Sequence, residues 1–355
     1  MFPVIYMMSF QLTDVMDKYR LLFNSFHSLE RVWKEMETPD MSPFLHYDYM
    51  RFIKTSVTWF KPFFTRIACV CPKDSDEILM ICPMKRRIDL KYYTLLGDMQ
   101  GCDIADLLWK QGISEEEKKD IVHFFFERMK DKMFLNRIPA DSLFASGVPM
   151  DRISYTRDVE YVAIDMQEDY PAYLRTVSKN MRHQINKTYN RLEREGVQQK
   201  LLIYDAPNRV PKELERKINQ MYITRLISRY NPEREGSKLW RAYYWILFQY
   251  LKHDTRSFRK LPNSFLAVVM SGEQVMAFVS GFKTHDGKTV SMTRLAINEN
   301  LDYYSPGRIL MNELIKYLHA ETPIKVLDMS RGDERYKKDF GGRSYFIKDF
   351  VVEKA

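Results

Sequence analysis

The sequence has little of what would place it in several common classes of protein. It has four cysteines, and no uninterrupted apolar stretch reaches the roughly 20 residues of a membrane-spanning helix. No arginine-rich arm or zinc-finger spacing is present, so we do not expect a DNA-binding protein. The seven histidines are scattered without metal-ligand or catalytic-triad spacing. We therefore expect no metal and no membrane span.

The few cysteines indicate buried thiols rather than disulfides. Cys69 and Cys71 are two residues apart, which places both on one face of a strand. No histidine lies close enough in sequence to these two cysteines, or to Cys82 and Cys102, to complete a zinc pattern. The first ten residues, MFPVIYMMSF, have neither a basic leader nor a small-residue cleavage site. We expect a cytoplasmic protein in a reducing compartment.

The composition predicts a folded chain with an anionic partner. A length of 355 residues favours two domains, and 45% hydrophobic residues can form a core in each. The net charge of +8 favours phosphates, CoA, nucleotide sugars, nucleic acid or an anionic membrane, without choosing among them.

The periodicity of apolar residues predicts an α+β protein whose two halves repeat one order of elements. In the first half we predict helices at Ser25–Glu37 and Ser42–Phe60, a hairpin of Phe63–Cys71 and Ile78–Met84, a strand at Tyr92–Leu96, a helix at Glu115–Lys132 and a strand at Met133–Ile138. In the second half we predict helices at Pro171–Glu195, Lys212–Ser228, Ser237–Leu251, Pro306–Ala320 and Glu334–Phe340, and strands at Leu201–Tyr204, Phe265–Met270, Gln274–Phe282, Val290–Asn298, Ile324–Met329 and Tyr345–Val352. The boundary falls near Ser146–Asp151, which gives lobes of residues 1–150 and 151–355.

One short segment has the pattern of an anion site. The strand Val290–Asn298 leads through Ser305-Pro306-Gly307-Arg308 into an amphipathic helix. The N–H groups and dipole at a helix start favour an anion such as a pyrophosphate, Gly307 permits close approach and Arg308 adds positive charge. The alternative is that this segment is only a turn and a helix start.

The last 80 residues resemble one branch of the GNAT superfamily, often labelled as cellulose-biosynthesis acetyltransferases. That branch has S-P-G before its CoA-binding helix and D-[FM]-x-x-G-x-E-x-Y-K-x-x-[FW]-G after the next strand. Ser305–Gly307 and Asp328–Gly341 are similar to both patterns. Ser178–Arg182, leading into Arg191–Gly196, resembles the basic helix that opens the family's acyltransferase lobe. Leu96–Asp98, before Asp103 and Asp106, resembles the start of a helix in its non-catalytic lobe.

The resemblance implies two tandem GNAT-like lobes, each a mixed, mostly antiparallel sheet flanked by helices. The first lobe would be degenerate, and the second would bind acetyl-CoA or another acyl-CoA. The residues implied to bind the thioester and the phosphates of the cosubstrate are Arg294, Leu295, Ala296, Ser305, Pro306, Gly307 and Arg308.

The resemblance also assigns candidate roles in acyl transfer to an amine, which needs a base, an oxyanion donor and an acid. Tyr336 is the predicted acid, and Asp328 the predicted base. Lys337, similar to a lysine of Fem-type aminoacyltransferases, would stabilise the oxyanion or bind an anionic acceptor. Arg182, as a phosphate ligand, and Glu334, also a weaker base candidate, would bind substrate. The alternatives are packing for Tyr336, loop capping for Asp328, an acidic residue that only complements the helix dipole for Glu334, and solvated surface charges for Lys337 and Arg182.

Three functions follow from these residues. The first is an N-acyltransferase that uses acyl-CoA and acts on an amino sugar or another cell-envelope or polysaccharide precursor. The second is a Fem-type transferase that uses aminoacyl-tRNA, although Lys212–Leu251 does not read as a long helical hairpin. The third is a non-catalytic protein that uses the fold for binding.

Overall fold

The computed structural model describes residues 17–57, 63–87, 90–97, 102–205, 210–234, 236–250 and 260–355. The chain forms two compact units: the first is Met1–Val159 with Phe346–Ala355, and the second is Glu160–Tyr345. Both contain helices and sheet, which confirms the predicted α+β class. The units differ from the predicted lobes at the ends, because residues 151–159 and 346–355 group with the first unit.

The described residues of the first unit form short strands and helices. Its sheets have the orders β1-β3-β4-β7 and β15-β8-β6-β5-β2, in which only β6 and β8 pair in parallel. The elements are β1 (Tyr19–Asn24), α1 (Glu30–Met36), α2 (Tyr47–Val57), β2 (Phe63–Thr65), β3 (Ile67–Pro72), β4 (Met80–Cys82), β5 (Met84–Arg87), β6 (Tyr92–Leu95), β7 (Leu108–Trp109), α3 (Glu115–Arg128), β8 (Lys132–Pro139), α4 (Leu143–Ser146) and the end of β15 (Arg343–Val352).

The second unit contains the predicted acyltransferase segment. Its strand order is β10-β11-β12-β13-β14-β9, antiparallel except for β13 and β14. The elements are the end of β9 (Ile153–Asp165), α5 (Tyr170–Thr176), α6 (Lys179–Arg194), β10 (Lys200–Asp205), α7 (Lys212–Tyr230), α8 (Lys238–Tyr250), β11 (Ser264–Ser271), β12 (Gln274–Lys283), β13 (Thr289–Ile297), α9 (Pro306–Glu321), β14 (Val326–Arg331), α10 (Arg335–Asp339) and the start of β15.

The predicted helix Pro171–Glu195 is two helices rather than one. Val177 adopts an extended conformation between them, and Ser178 accepts a hydrogen bond from the Met181 N–H at the start of α6. A serine N-cap of this kind satisfies a helix-end donor and sets where a helix begins. α6 then packs its apolar side, including Ile185 and Leu192, into a core shared with α9.

α7 and α8 form a packed helix pair, which the sequence did not indicate. Tyr244 of α8 lies against Ile223 and Ile227 of α7, and the Asn231 side-chain amide donates to its hydroxyl over 2.7 Å. At 1.5 Å per residue the two helices are about 28 and 20 Å long.

One prediction for the first unit is wrong. Asp103 and Asp106 do not begin a helix, because residues 102–107 are irregular and the next helix, α3, begins only at Glu115. The Ala105 N–H bonds to the Arg137 carbonyl, and Asp106 accepts from the Leu107 N–H, which holds this segment in a non-helical path. Asp98 lies outside the described residues.

The four cysteines are buried, and none of them forms a disulfide. Cys69 and Cys71 both lie on β3, and burial raises the pKa of each thiol, that of Cys69 to about 12. Among the described residues, no helix combines the length and apolar character that crossing a bilayer requires.

Candidate active site

Two neighbouring strands of the second unit, β13 and β14, diverge. β13 and β14 pair in parallel from Thr289 opposite Val326 to Ser291 opposite Asp328, and the pairing ends there. β13 nevertheless continues to Ile297, still paired with β12 on its other side. The strands therefore open toward the start of α9, the helix that follows β13.

A bulge marks the same point on the other side of β13. Its register against β12 shifts between Ser280 opposite Arg294 and Gly281 opposite Met292, which leaves Thr293 as the extra residue. A side chain on Gly281 would place its Cβ 1.9 Å from the Ser291 carbonyl oxygen, so glycine is needed there. A bulge bends a strand, and here it accompanies the divergence.

Asp328 lies at the last paired position and is buried. Its carboxylate accepts from the Ser330 N–H at 2.8 Å, the Tyr345 hydroxyl at 2.9 Å and the Ser291 hydroxyl at 3.4 Å. Burial raises its pKa, although these bonds and the charge of Lys337 oppose the rise. The side chain thus caps the backbone where β14 leaves its partner.

Ser330 bridges the gap that opens next. It has a φ of 56°, unusual for a residue other than glycine, and its hydroxyl donates to the Met292 carbonyl of β13 over 2.6 Å. This left-handed residue turns the end of β14 away from β13. No sequence motif identified Ser330 beforehand.

Lys337 is buried beneath the loop that follows β14, rather than solvated. Its ammonium donates to the carbonyls of Ser330, Arg331 and Gly332 at 3.3, 2.7 and 3.3 Å, and lies 3.1 Å from the Glu334 carboxylate. Burial alone would raise the pKa of Glu334, but bonds to its own N–H and to Lys337 lower it overall.

Tyr336 is partly exposed on α10. Burial and the nearby charge of Glu334 raise its pKa to about 12, while Arg225 of α7 acts in the opposite direction. A tyrosine with this pKa is protonated at neutral pH. Arg225 also lines a cleft, so Tyr336 and the cleft share a neighbouring charge.

The cleft has a volume of about 970 Å³ and lies within the second unit. α7 and α8 line one side, and the end of β13 with residues 298–300 lines the other. Its charged and aromatic lining includes Lys217, Arg225, Arg241, Trp245 and Glu299. None of these five was predicted, because only the packing of α7 and α8 brings them to β13.

The start of α9 differs in detail from the predicted anion site. Ser305 has a φ of 55°, and its carbonyl accepts from the N–H groups of Arg308 and Ile309 at 2.9 and 3.2 Å. Pro306 has no N–H, so Gly307 has the N–H of this turn best suited to a ligand. A Cβ on Gly307 would lie 3.3 Å from the Ile297 side chain, a tight contact that a small shift of Ile297 relieves, so packing does not by itself require glycine here.

Arg308 points toward α6. One of its terminal nitrogens donates to the Thr188 hydroxyl over 2.8 Å, and its buried Nε has no hydrogen-bond partner among the described residues. Burial, with the nearby charge of Arg191, lowers the pKa of Arg308. Arg191 in turn lies over the ring of Tyr303 at 4.3 Å. Positive charge from two helices therefore gathers beside the start of α9.

Arg182 and Arg294 do not join this cluster. Arg182 is exposed near the start of α6, about 14 Å along the helix from Arg191, and bonds the Leu174 carbonyl. The buried Arg294 donates to the Ser280 hydroxyl at 3.0 Å and lies over the Tyr222 ring on the α7 side of the sheet. Ala296 also packs on the α7 side, whereas Leu295 packs toward α9.

The second unit matches a known domain family. Residues 179–338 match the family model described as acetyltransferase (GNAT) domain. This range contains the divergent strands, the start of α9 and the loop held by Lys337. No curated protein matches the sequence.

Solved structures share the fold at low sequence identity. FemX has a TM-score of 0.56 over 94% of this chain and 98% of its own, at 7% identity. The C-terminal DUF2156 domain of a protein assigned as a lysylphosphatidylglycerol synthetase from Agrobacterium fabrum has a TM-score of 0.53, covering 92% and 91% at 11% identity. The match to the GNAT domain family therefore covers residues 179–338, the solved structures share the fold, and the cellulose-biosynthesis-like branch stays a prediction.

Proposed function

We propose that the chain is an acyl-CoA-dependent N-acyltransferase that transfers an acetyl group to an amine of an amino sugar or another cell-envelope or polysaccharide precursor. The observation that carries this proposal is the divergence of β13 and β14 after Ser291 and Asp328, beside the start of α9. Diverging strands leave backbone groups unpaired within the sheet, where a thioester and its pantetheine arm can form hydrogen bonds.

The direction of the backbone groups of β13 favours one residue as the hydrogen-bond partner of the thioester. The Asn298 N–H bonds to β12, and backbone groups alternate in direction along an antiparallel strand. Leu295 and Ile297 therefore direct their N–H and carbonyl groups to the side that β14 leaves. Of the three positions predicted on β13, Leu295 is the one suited to hydrogen bonding with the thioester.

The phosphates of acyl-CoA would bind at the start of α9. The first turn of α9 contains no acidic residue, and Arg308 and Arg191 supply positive charge beside it. Helix dipole and guanidinium charge both favour a pyrophosphate there.

The chemistry requires the amine nitrogen to attack the thioester carbonyl, forming a C–N bond as the C–S bond breaks. We assign Tyr336 as the acid that protonates the departing thiolate, since its hydroxyl keeps its proton at neutral pH. The half-exposed carboxylate of Glu334 would accept the amine proton through water. Asp328 and Lys337 would hold the two strand ends and the loop in position, because both are buried and hydrogen bonded within the protein, whereas Glu334 pairs with Lys337 but stays half-exposed.

Isothermal titration with acetyl-CoA, followed by detection of free CoA thiol in the presence of candidate amines, tests this proposal. We expect a Kd in the micromolar range, about −8 kcal/mol. No binding would contradict the proposal. Binding without thiol release for any amine would favour the third function, a non-catalytic binding protein.

Fem-type transfer from aminoacyl-tRNA remains the second candidate. The packed helices α7 and α8 favour it, because Fem-type proteins often carry a helical hairpin, although these helices are short. Titration with charged tRNA separates the two functions. Binding of charged tRNA without binding of acetyl-CoA would support the Fem-type reaction.

A further inference from the structure

Helix α8 exposes an apolar face to solvent. Leu239, Tyr243 and Ile246 are 83%, 54% and 61% exposed. Their spacing of four and three residues places them on one side of the helix. Exposed apolar residues scattered singly are ordinary, but three aligned on one helix face indicate an interaction surface.

The other two faces of α8 are already occupied within the second unit. Tyr244 packs on α7 and accepts the hydrogen bond from Asn231. Arg241, Ala242 and Trp245 line the cleft. The apolar face of α8, defined by Leu239, Tyr243 and Ile246, therefore points away from both.

Positive charge is concentrated in the segment of sequence that carries this face. Residues 225–260 contain nine arginines and lysines against three acidic residues, so this segment carries a net +6 of the chain's +8. Within the described residues, Arg229 near the end of α7, Arg234 in the connection and Lys238 at the start of α8 are exposed. Tyr230, 63% exposed, lies at the end of α7 before the connection to α8.

We propose that the apolar face of α8 docks on an anionic phospholipid surface. An amphipathic helix with aliphatic and aromatic residues on one face and basic residues around it binds the bilayer interface by burying the first and attracting anionic headgroups with the second. Tyrosine and tryptophan are also enriched at that depth.

The aliphatic residues favour a lipid over a nucleic acid. Bases stack on aromatic rings, and phosphates bind arginine and lysine, but exposed Leu239 and Ile246 contribute to neither contact. Both side chains would be stabilised by burial at the boundary between the lipid headgroups and the lipid acyl chains. A docked bilayer would lie about one helix diameter, roughly 10 Å, from the cleft-lining side of α8.

Vesicle flotation of the full chain tests this proposal. We expect binding to vesicles of phosphatidylcholine with phosphatidylglycerol, weak binding to phosphatidylcholine alone, and loss of binding in high salt. The double variant Leu239→Ser and Ile246→Ser should lower the partition coefficient about tenfold or more. Lys238→Glu should weaken binding to the anionic vesicles only.

The matched control is Met150→Ser in the first unit, since Met150 is 84% exposed and lies on no aligned apolar face. It should bind vesicles like the unmodified chain, and every variant should retain its circular dichroism spectrum. Equal binding of the double variant, or equal binding to neutral and anionic vesicles, would overturn the proposal. A third result would also overturn it: the unmodified chain binds no vesicles but forms a dimer or a tRNA complex, and the double variant abolishes that association.

Discussion

The Lys337 ammonium lies 2.7 Å from the Arg331 carbonyl oxygen, at the end of the strand that diverges from β13. The same ammonium bonds the carbonyls of Ser330 and Gly332, and the side chain is 3% exposed. One charged group thus bonds three successive carbonyls where β14 ends and the next loop begins, a segment with two left-handed residues, Ser330 and Gly332. This loop leads directly into Glu334 and Tyr336.

Replacing Lys337 by methionine should therefore mainly lower the stability of the fold, and any loss of acyl transfer should follow from that. Three carbonyls and the Glu334 carboxylate would lose their donor, which we expect to lower the free energy of unfolding by about 3 kcal/mol. Urea denaturation followed by circular dichroism measures this.

Lys338→Met is the matched control, because Lys338 is half-exposed and pairs only at the surface with Glu160 over 2.6 Å. It should change the stability by less than about 1 kcal/mol. If Lys337→Met proved as stable as Lys338→Met yet inactive, Lys337 would be an oxyanion or acceptor ligand rather than a structural residue.

Tyr336→Phe separates chemistry from binding. Removing the hydroxyl should lower kcat about tenfold or more while leaving the Kd for acetyl-CoA unchanged, as expected for the loss of one general acid. With a pKa of about 12, Tyr336 should cause no fall in rate on the alkaline side until that range is approached. An unchanged kcat would make Tyr336 a packing residue.

Local patterns in the sequence predicted most elements of the second unit, because their signals are local. α9 begins at Pro306 as predicted and ends at Glu321, one residue beyond the prediction, since proline at the first turn and apolar residues at helical spacing mark it. β9 was not predicted. Its first half is exposed and polar, and only Tyr161–Ile164 is buried, so the run lacks the alternation that indicates a strand.

The site was less predictable than the fold. The motif identified Asp328, Tyr336 and Lys337 and includes Gly332, but their burial and partners also depend on the left-handed conformation of Ser330, which no motif indicates. Arg225 belongs to no motif at all, and α7 brings it to Tyr336 through tertiary packing. Arg182 shows the converse, since a residue that matches the family pattern lies far along α6 from the charges that surround the start of α9.

Substitutions of different size at Gly307 test the proposed phosphate site. Gly307→Ala should bind acetyl-CoA within a few-fold of the unmodified chain, because a Cβ meets only Ile297 at 3.3 Å. Gly307→Trp should weaken binding at least tenfold by blocking approach to the backbone. Titration calorimetry compares them, with thermal unfolding to show that both variants fold. Equal Kd values for the tryptophan variant and the unmodified chain would mean that the phosphates of acetyl-CoA do not bind at the start of α9.

Asp106 should make the stability of the first unit depend on pH. Burial raises its pKa from 3.8 to about 7, with a smaller contribution from Asp141. The unfolded chain therefore releases this proton first, and stability falls as the pH rises from 3.8 to about 7. At about 1.4 kcal/mol per pKa unit, the loss is bounded at a few kcal/mol.

Asp106→Asn removes this charge and keeps an oxygen to accept from the Leu107 N–H. The variant should be more stable than the unmodified chain near pH 8, by an amount that vanishes toward pH 4. Urea unfolding across this range measures the difference, and Asp151→Asn, at an exposed position, is the control. A constant difference at all pH values would mean that Asp106 does not titrate as described.

The two units should differ in the number of acyl-CoA molecules that they bind, with one per chain and that one in the second unit. The contrast lies in two helix starts. α9 begins without acidic residues and with Arg308 in its first turn. α3, the helix that follows β6 and β7 in the first unit, begins with Glu115, Glu116 and Glu117, and the Ser114 hydroxyl already accepts the Glu117 N–H. Three carboxylates at the positive end of a helix dipole complement it fully and repel a pyrophosphate.

Calorimetry should therefore give a stoichiometry near one, and hydrogen exchange should show acetyl-CoA protecting the start of α9 but not that of α3. A stoichiometry near two, or protection at residues 114–117, would contradict this division between the units.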